Sequence, residues 1–77
     1  MSNSIQKFCR DFRVNELDLT LEQMGMITGV NLKTISAFEN GRSNNSNHIY
    51  LYSESCITPE QLTAFKNGLT KAINTRV

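Results

Sequence analysis

Apolar residues recur at the three- and four-residue spacing of helices along most of this chain. Ile5, Phe8, Cys9 and Phe12 follow the i, i+3, i+4, i+7 pattern that places side chains on one face of a helix. This pattern predicts a first helix that is buried on one side and ends at about residue 14 or 15.

A second helix is predicted to begin after Thr20. Thr20 and Gln23 have the spacing of a capping box, in which each side chain bonds to the backbone amide of the other residue. Gly29 can adopt the left-handed backbone conformation that commonly ends helices. The second helix should therefore stop at Gly29.

A third helix follows almost at once. Asn31 is a capping residue, and Ile35 and Phe38 form an inward-facing pair at helical spacing. Because only Val30 separates the end of one helix from the start of the next, the two helices should cross at a steep angle. Gly25, which has no side chain, would let them approach closely.

The second half of the chain predicts a polar loop and two more helices. Residues 42–48 are wholly polar, which is typical of a surface loop, and residues 49–52 favour a short helix. Thr58-Pro59 is a strong helix start, since threonine caps well and proline suits the first helical position. The apolar stripe of this last helix comprises Leu62, Phe65, Leu69, Ala72 and Ile73. The pattern therefore predicts a single all-α domain, residues 1–77, of five helices.

The composition fits one small globular domain. The 77 residues are 39% hydrophobic and 19% charged, which is the profile of an ordinary folded chain. The longest mostly apolar run, residues 24–30, is far shorter than the roughly 20 residues that cross a bilayer. Because the first residues also lack the order of a signal peptide, we expect a cytoplasmic protein without membrane contact.

Few residues could support catalysis or metal binding. Cys9 and Cys56 lie 47 positions apart and His48 is the sole histidine, whereas a zinc site needs about four ligands at short spacings. A disulfide is arithmetically allowed, but Cys9 falls on an apolar helix face, where a free thiol packs as a small hydrophobic group. Since the sequence also lacks a catalytic constellation and a phosphate-binding glycine loop, we expect no enzyme, no metal and no cofactor.

The net charge of +1 gives little attraction for nucleic acid. Residues 1–30, 31–45 and 46–77 carry −1, +1 and +1 respectively, so no segment is strongly basic. A DNA-binding role would have to depend on neutral polar groups, on helix ends, or on two copies acting together.

Residues 20–41, TLEQMGMITGVNLKTISAFENG, resemble the helix-turn-helix of the lambda-repressor-like, or Xre, family of bacterial and phage regulators. The family's apolar positions are occupied by Met24, Val30, Ile35 and Phe38. The ending Glu39-Asn40-Gly41 is a common family form, and the order of five helices extends the resemblance loosely over the whole chain. The likeness implies a compact lambda-repressor-like DNA-binding fold whose second motif helix, residues 32–39, lies in the major groove.

The resemblance also implies which residues contact double-stranded DNA. The residues that would read bases are Leu32, Lys33, Ser36 and Ala37. Lys33 can donate to guanine, Leu32 and Ala37 can contact a thymine methyl group, and the Ser36 hydroxyl suits several base edges. The residues that would contact the phosphate backbone are Thr20, Gln23, Asn31, Thr34, Asn40, Arg42, Ser43 and Asn44.

Two internal contacts follow from the same likeness. In the family, the glutamate at the position of Glu39 usually pairs with an arginine of the first helix, and Arg13 is the best candidate here. The family also reads near-palindromic sites as a two-fold pair, which implies a homodimer. The expected seam lies on the last helix and uses Phe65, Leu69 and Ile73.

Three apolar residues depart from the family pattern. Met26 and Ile27 stand where the outer face of the motif's first helix is generally polar, and Leu21 replaces a polar residue. Either a neighbouring helix covers Met26 and Ile27, or they form an exposed patch of the kind that contacts proteins.

The sequence as a whole predicts a transcriptional regulator, a repressor carried by a phage or mobile element. An antitoxin or a restriction-control protein would be a subtype of this function. The alternative is a protein-binding module on the same fold.

Overall fold

All regular structure in the computed structural model, which describes residues 4–43 and 46–74, is helical. The α-helices are α1 (Ser4–Phe12), α2 (Leu21–Thr28), α3 (Leu32–Glu39), α4 (Ile49–Glu54) and α5 (Pro59–Asn74). A π-helical turn (Arg13–Leu17) extends α1, and a 3₁₀ turn (Ser46–His48) leads into α4. The described ranges contain five α-helices and no strand, as the hydrophobic pattern predicts. In these ranges no helix has the length and apolar character needed to cross a bilayer.

The first helical segment runs further than the sequence predicts. α1 passes into the π-helical turn, and the chain leaves it only at Asp18, whose φ of 53° is left-handed. The Asp18 amide donates to the Arg13 carbonyl, which is the i to i+5 bond of a π-helix. Arg13 and Leu17 are both buried by this extra turn. Aspartate tolerates the left-handed region better than most residues, so the segment ends without a glycine.

The predicted signals at the two ends of α2 are present. Thr20 Oγ1 accepts the Gln23 amide at 3.1 Å, and Gln23 Oε1 accepts the Thr20 amide at 2.9 Å. Gly29 ends the helix with a left-handed φ of 75°. Local sequence therefore sets both boundaries of α2.

The backbone that joins α2 to α3 passes directly over Gly25. A Cβ atom at this position would lie 2.8 Å from the Val30 carbonyl oxygen, closer than such atoms approach in proteins. Asn31 then caps α3, its Oδ1 accepting the Lys33 amide at 2.8 Å. The missing side chain of Gly25 thus gives space to the connection itself as well as to the start of α3.

Aromatic rings from α1, α3, α4 and α5 form much of the core. Its buried members are Cys9, Phe12, Leu17, Met24, Ile35, Phe38, Tyr52 and Phe65. The Phe65 ring centroid lies 5.0 Å from that of Phe12 and 5.5 Å from that of Phe8. α5 therefore packs along α1, and α1 also contacts α3. The Cα radius of gyration, 11.5 Å, is that of a compact chain of this length.

This packing corrects the predicted dimer seam. Phe65 is only 2% exposed, so its ring is not available to a second copy. Leu69 is partly buried and packs against the same core, whereas Ile73 is 47% exposed. The three residues share one helical stripe as predicted, but the rings of Phe8 and Phe12 on α1 use most of that stripe for the core.

The polar segment after α3 is not a loop throughout, because Ser46–His48 forms the 3₁₀ turn. The His48 ring meets the Phe38 ring edge-on at a centroid distance of 5.4 Å, which places the turn against the end of α3. Asn44, one of the predicted phosphate contacts, lies outside the described residues. The short helix predicted at residues 49–52 is confirmed as part of α4.

The start of α5 follows its sequence signal and adds a link to the π-helical turn. Thr58 Oγ1 accepts the Gln61 amide at 3.2 Å. The Gln61 side chain accepts the Ile57 amide at 2.8 Å and donates to the Glu16 carbonyl at 3.3 Å. These bonds tie the first turn of α5 to the segment that follows α1.

Candidate nucleic-acid interface

The two sides of α3 have different chemistry. Ile35, Phe38 and Glu39 are buried, with Glu39 only 5% exposed. Lys33 and Thr34 are exposed, and Leu32 is also counted among the exposed apolar residues. Because the Asn31 cap fixes where the helix begins, these exposed residues belong to its first turn. These exposed residues of the first turn are among those that the family resemblance assigns to DNA contact.

The other two predicted base-reading residues are less accessible. Ser36 and Ala37 are both partly buried. Ser36 Oγ accepts a bond from Asn40 Nδ2 at 3.2 Å, which leaves its hydroxyl proton available. The Ala37 carbonyl accepts the Arg42 amide at 2.8 Å and so shapes the turn that follows α3. Lys33 is therefore the most accessible of the hydrogen-bonding candidates.

Several predicted backbone contacts are already engaged within the chain. Thr20 and Gln23 are exposed but bond to each other in the capping box. Asn31 uses its oxygen to cap α3.

The remaining predicted backbone contacts differ in exposure. Thr34 and Arg42 are exposed, whereas Ser43 is partly buried and its carbonyl accepts Gln6 Nε2 at 2.7 Å. The candidate interface would consequently present one exposed cation from α3 and one from the turn after it.

A buried ion pair joins α3 to the end of the first helical segment. Arg13 Nε and Nη2 donate to the two carboxylate oxygens of Glu39 at 2.8 Å and 3.0 Å. Arg13 Nη1 also donates to the Leu19 carbonyl at 2.7 Å. This is the pair that the resemblance implies, and its geometry is the two-pronged one that favours arginine over lysine.

The sequence interpretation missed the third member of this cluster, which is Tyr52. Its hydroxyl donates to Glu39 Oε2 at 2.8 Å, and the residue is fully buried. Tyr50, two residues earlier on the same helix, is 65% exposed. The sequence spacing offers no signal that distinguishes the two tyrosines, because their partners come from other helices.

Burial and the Glu39 charge hold neighbouring groups in their protonated forms. Burial first, and then the Glu39 carboxylate, raise the pKa of Cys9 to about 12. The same two causes, together with the hydrogen bond to Glu39, raise the pKa of Tyr52 well above its usual range. Tyr52 is therefore a hydrogen-bond donor throughout the physiological pH range, and Cys9 is an unreactive core thiol.

The ion pair also changes the charge that residues 31–43 expose. Glu39 is the one acidic residue between Asn31 and Ser43, and its charge is buried and matched by Arg13. The charged side chains that remain exposed in this stretch are Lys33 and Arg42. The exposed charged side chains of residues 31–43 therefore sum to +2, against the segment sum of +1.

Met26 and Ile27 on α2 are not covered by a neighbouring helix. Met26 is 82% exposed and Ile27 is 55% exposed. Of the two arrangements that the sequence left open, the structure shows the exposed one. Leu21 is partly buried and packs against the core, so it does not extend this exposed pair.

Comparisons with known proteins add no assignment to this geometry. No protein-family model, curated protein or solved structure matches the chain. Within the described residues, no group of three or more His, Cys, Asp and Glu side chains could hold a metal ion, and Cys9 and Cys56 are not joined by a disulfide.

Proposed function

We propose that this protein is a DNA-binding transcriptional regulator that inserts α3 into the major groove. The observation that carries the proposal is the polarity of α3, which exposes Lys33 and Thr34 while its only acidic residue is buried in an ion pair. A major groove admits one helix, and its base edges are mainly hydrogen-bond donors and acceptors. An outward face without an acidic group meets phosphate without repulsion.

Each exposed group of this face has a counterpart on DNA. Lys33 would donate to guanine acceptors, and Leu32 would contact a thymine methyl group. Ser36 and Ala37, being partly buried, would meet bases only where the groove comes close to the helix. Arg42, exposed in the turn after α3, would contact phosphate, as would Thr34. Lys33 is thus the residue on which sequence discrimination depends most.

The assembly and setting are part of the same proposal. A domain of this size covers little DNA alone, so two copies on a near-palindromic site would supply the missing contact area. Ile73 is the predicted seam residue that is still largely exposed. We place the regulator in the cytoplasm and, from the family resemblance, as a repressor of a phage or mobile element.

The decisive experiment compares Lys33→Ala with Lys66→Ala. Both changes remove one exposed positive charge, from α3 and from α5 respectively. Gel-shift titrations would use the duplex that flanks the protein's own gene and a random duplex, across salt concentrations. Lys33→Ala should weaken binding to the cognate duplex by about 1–3 kcal/mol and spare the random duplex, whereas Lys66→Ala should change neither.

Two results would count against this proposal. Equal losses on both duplexes would reduce Lys33 to a phosphate contact. Absence of binding to any duplex at low salt would remove the DNA-binding function altogether.

A protein-binding role is the second candidate, and the exposure of Met26 and Ile27 favours it. Adjacent exposed apolar side chains on one short helix are typical of a protein contact. The test is Met26→Lys with Ile57→Lys as its matched control, since Ile57 is also almost fully exposed but precedes α5. This candidate is favoured if Met26→Lys loses a co-purified partner that Ile57→Lys keeps, and if neither variant binds DNA.

A further inference from the structure

The Glu39 carboxylate links four separate parts of the chain. Its Oε2 atom accepts both Arg13 Nε and the Tyr52 hydroxyl at 2.8 Å, and its Oε1 atom accepts Arg13 Nη2 at 3.0 Å. Arg13 Nη1 reaches the Leu19 carbonyl as well. The cluster therefore connects the π-helical turn, the residue before the α2 cap, the end of α3 and the middle of α4.

These attachment points hold the α2–α3 unit at both outer ends. Leu19 directly precedes the Thr20 cap of α2, and Glu39 is the last residue of α3. One guanidinium thus binds the beginning of α2 and the end of α3. Tyr52 adds a second and independent anchor on Glu39, because it belongs to α4.

The hydroxyl of Tyr52 is needed for this bond but not for the packing of its ring. The ring lies 6.1 Å from the Phe38 ring and 6.2 Å from the Phe65 ring between centroids, and a phenylalanine would fill the same space. A buried hydroxyl without a partner would be unfavourable, and Glu39 Oε2 is the partner it has.

A small rotation of α3 would matter for reading bases. The side chains of a helix end about 5–6 Å from its axis, so a rotation of about 10° moves them by on the order of 1 Å. Hydrogen bonds to base edges tolerate little more than that before they weaken. A group that fixes the carboxylate at the end of α3 thereby controls where Lys33 and Ser36 point.

We infer that Tyr52 is a positioning residue for α3, whose hydroxyl holds Glu39 and so sets the angle at which Lys33 meets a base. The inference rests on the proposed DNA-binding function and adds to it a residue that does not touch DNA. Its effect falls on sequence discrimination, because contacts to base edges carry the sequence information and contacts to phosphate do not.

The test is Tyr52→Phe in the full chain, with Tyr50→Phe as the matched control. Each change removes one hydroxyl from α4, but only Tyr52 is buried against Glu39. Tyr52→Phe should lower affinity for the cognate duplex about fivefold to tenfold and leave random-duplex affinity and its salt dependence unchanged. Amide hydrogen exchange should become faster in α3 but not in α5. Tyr50→Phe should change none of these quantities.

The inference is overturned if the ratio of cognate to random affinity stays the same, or if exchange accelerates equally in α3 and α5. Either result would show that the Tyr52 hydroxyl stabilises the fold as a whole and does not position α3. If the wild-type protein binds no duplex, the proposed function fails by itself. Exchange in α3 then still decides whether Tyr52 positions this helix.

Discussion

α3 and α5 are both amphipathic, yet they turn different kinds of residues outward. α3 has eight residues, and its inward side carries both apolar groups and the buried Glu39. α5 has sixteen residues, of which only Phe65 and Ala72 are buried, and its exposed side mixes small polar and apolar residues with the charged Glu60, Lys66 and Lys71. Both helices bury apolar side chains, but α3 adds a charged network to this packing, whereas α5 depends on aromatic packing against α1.

This difference is the reason that α3, rather than α5, is proposed to meet DNA. Burying Glu39 against Arg13 leaves α3 with an outward face of one lysine and neutral groups. α5 uses its largest apolar side chain to complete the core. The comparison can be tested by changes that act on one helix and have a matched change on the other.

The largest effect is expected from Phe65→Ala on α5. Removal of a buried ring should lower the free energy of unfolding by about 3–5 kcal/mol, whereas Ile73→Ala, at an exposed position, should cost about 1 kcal/mol or less. Urea denaturation measures both changes. A Phe65→Ala protein that remains as stable as the wild type and only dissociates from a dimer in sedimentation would restore the seam that the packing contradicts.

A smaller effect is expected where glycines allow close approach. Gly25→Ala should destabilise the protein by about 1–2 kcal/mol, because the new methyl group meets the Val30 carbonyl, and this backbone leads directly into α3. A methyl group at Gly68 on α5 would meet the Phe8 ring, which packs against the rings of Phe12 and Phe65 and can give way only in part. The gain in helix propensity, about 1 kcal/mol, applies at both positions, so Gly68→Ala should cost less than Gly25→Ala only because a side-chain ring gives way more readily than a backbone carbonyl.

Urea denaturation of these two variants, compared at constant m-value, measures the change in the free energy of unfolding for each. A Gly25→Ala variant that is more stable than the wild type would show that the connection between α2 and α3 can shift at little cost.

Burial of the Cys9 thiol, close to the Glu39 charge, should also produce a pH dependence. The pKa of Cys9 is raised from about 9 to about 12, by burial and then by Glu39, so the folded protein keeps a proton that the unfolded chain loses. The resulting stability is fully present below pH 9 and decreases as the pH rises toward 12, by at most about 1.4 kcal/mol per pH unit. The raised pKa of Tyr52 acts in the same direction.

Chemical denaturation at pH 8 to 10.5 measures this slope. Cys9→Ala should make the slope shallower, whereas Cys56→Ala should change it less, because the pKa of Cys56 is raised by burial without a contribution from Glu39. Equal slopes for the wild type and Cys9→Ala would show that the Cys9 thiol ionises normally in the folded protein.

Much of α2, α3 and α5 was predictable because their signals are local. The capping box of Thr20 and Gln23, the left-handed Gly29 and the Asn31 cap depend on residues within four positions of one another. The inward pair Ile35 and Phe38 follows from helical spacing alone. Lys33 and Thr34 are exposed because they do not lie on the side of α3 that Ile35 and Phe38 turn inward.

Other features were decided only when separate elements met. The π-helical turn buries Arg13 beside Glu39, which lies 26 residues further along, and Tyr52 joins them from α4. The burial of Phe65 depended on two phenylalanines of α1, and the exposure of Met26 on which helices lie near α2. Sequence alone determined where α2, α3 and α5 begin, where α2 ends and which apolar residues of these helices face inward, because those choices are made within a turn or two of the helix. The tertiary structure decided which side chains become partners, because burial and pairing depend on residues that the chain order does not bring together.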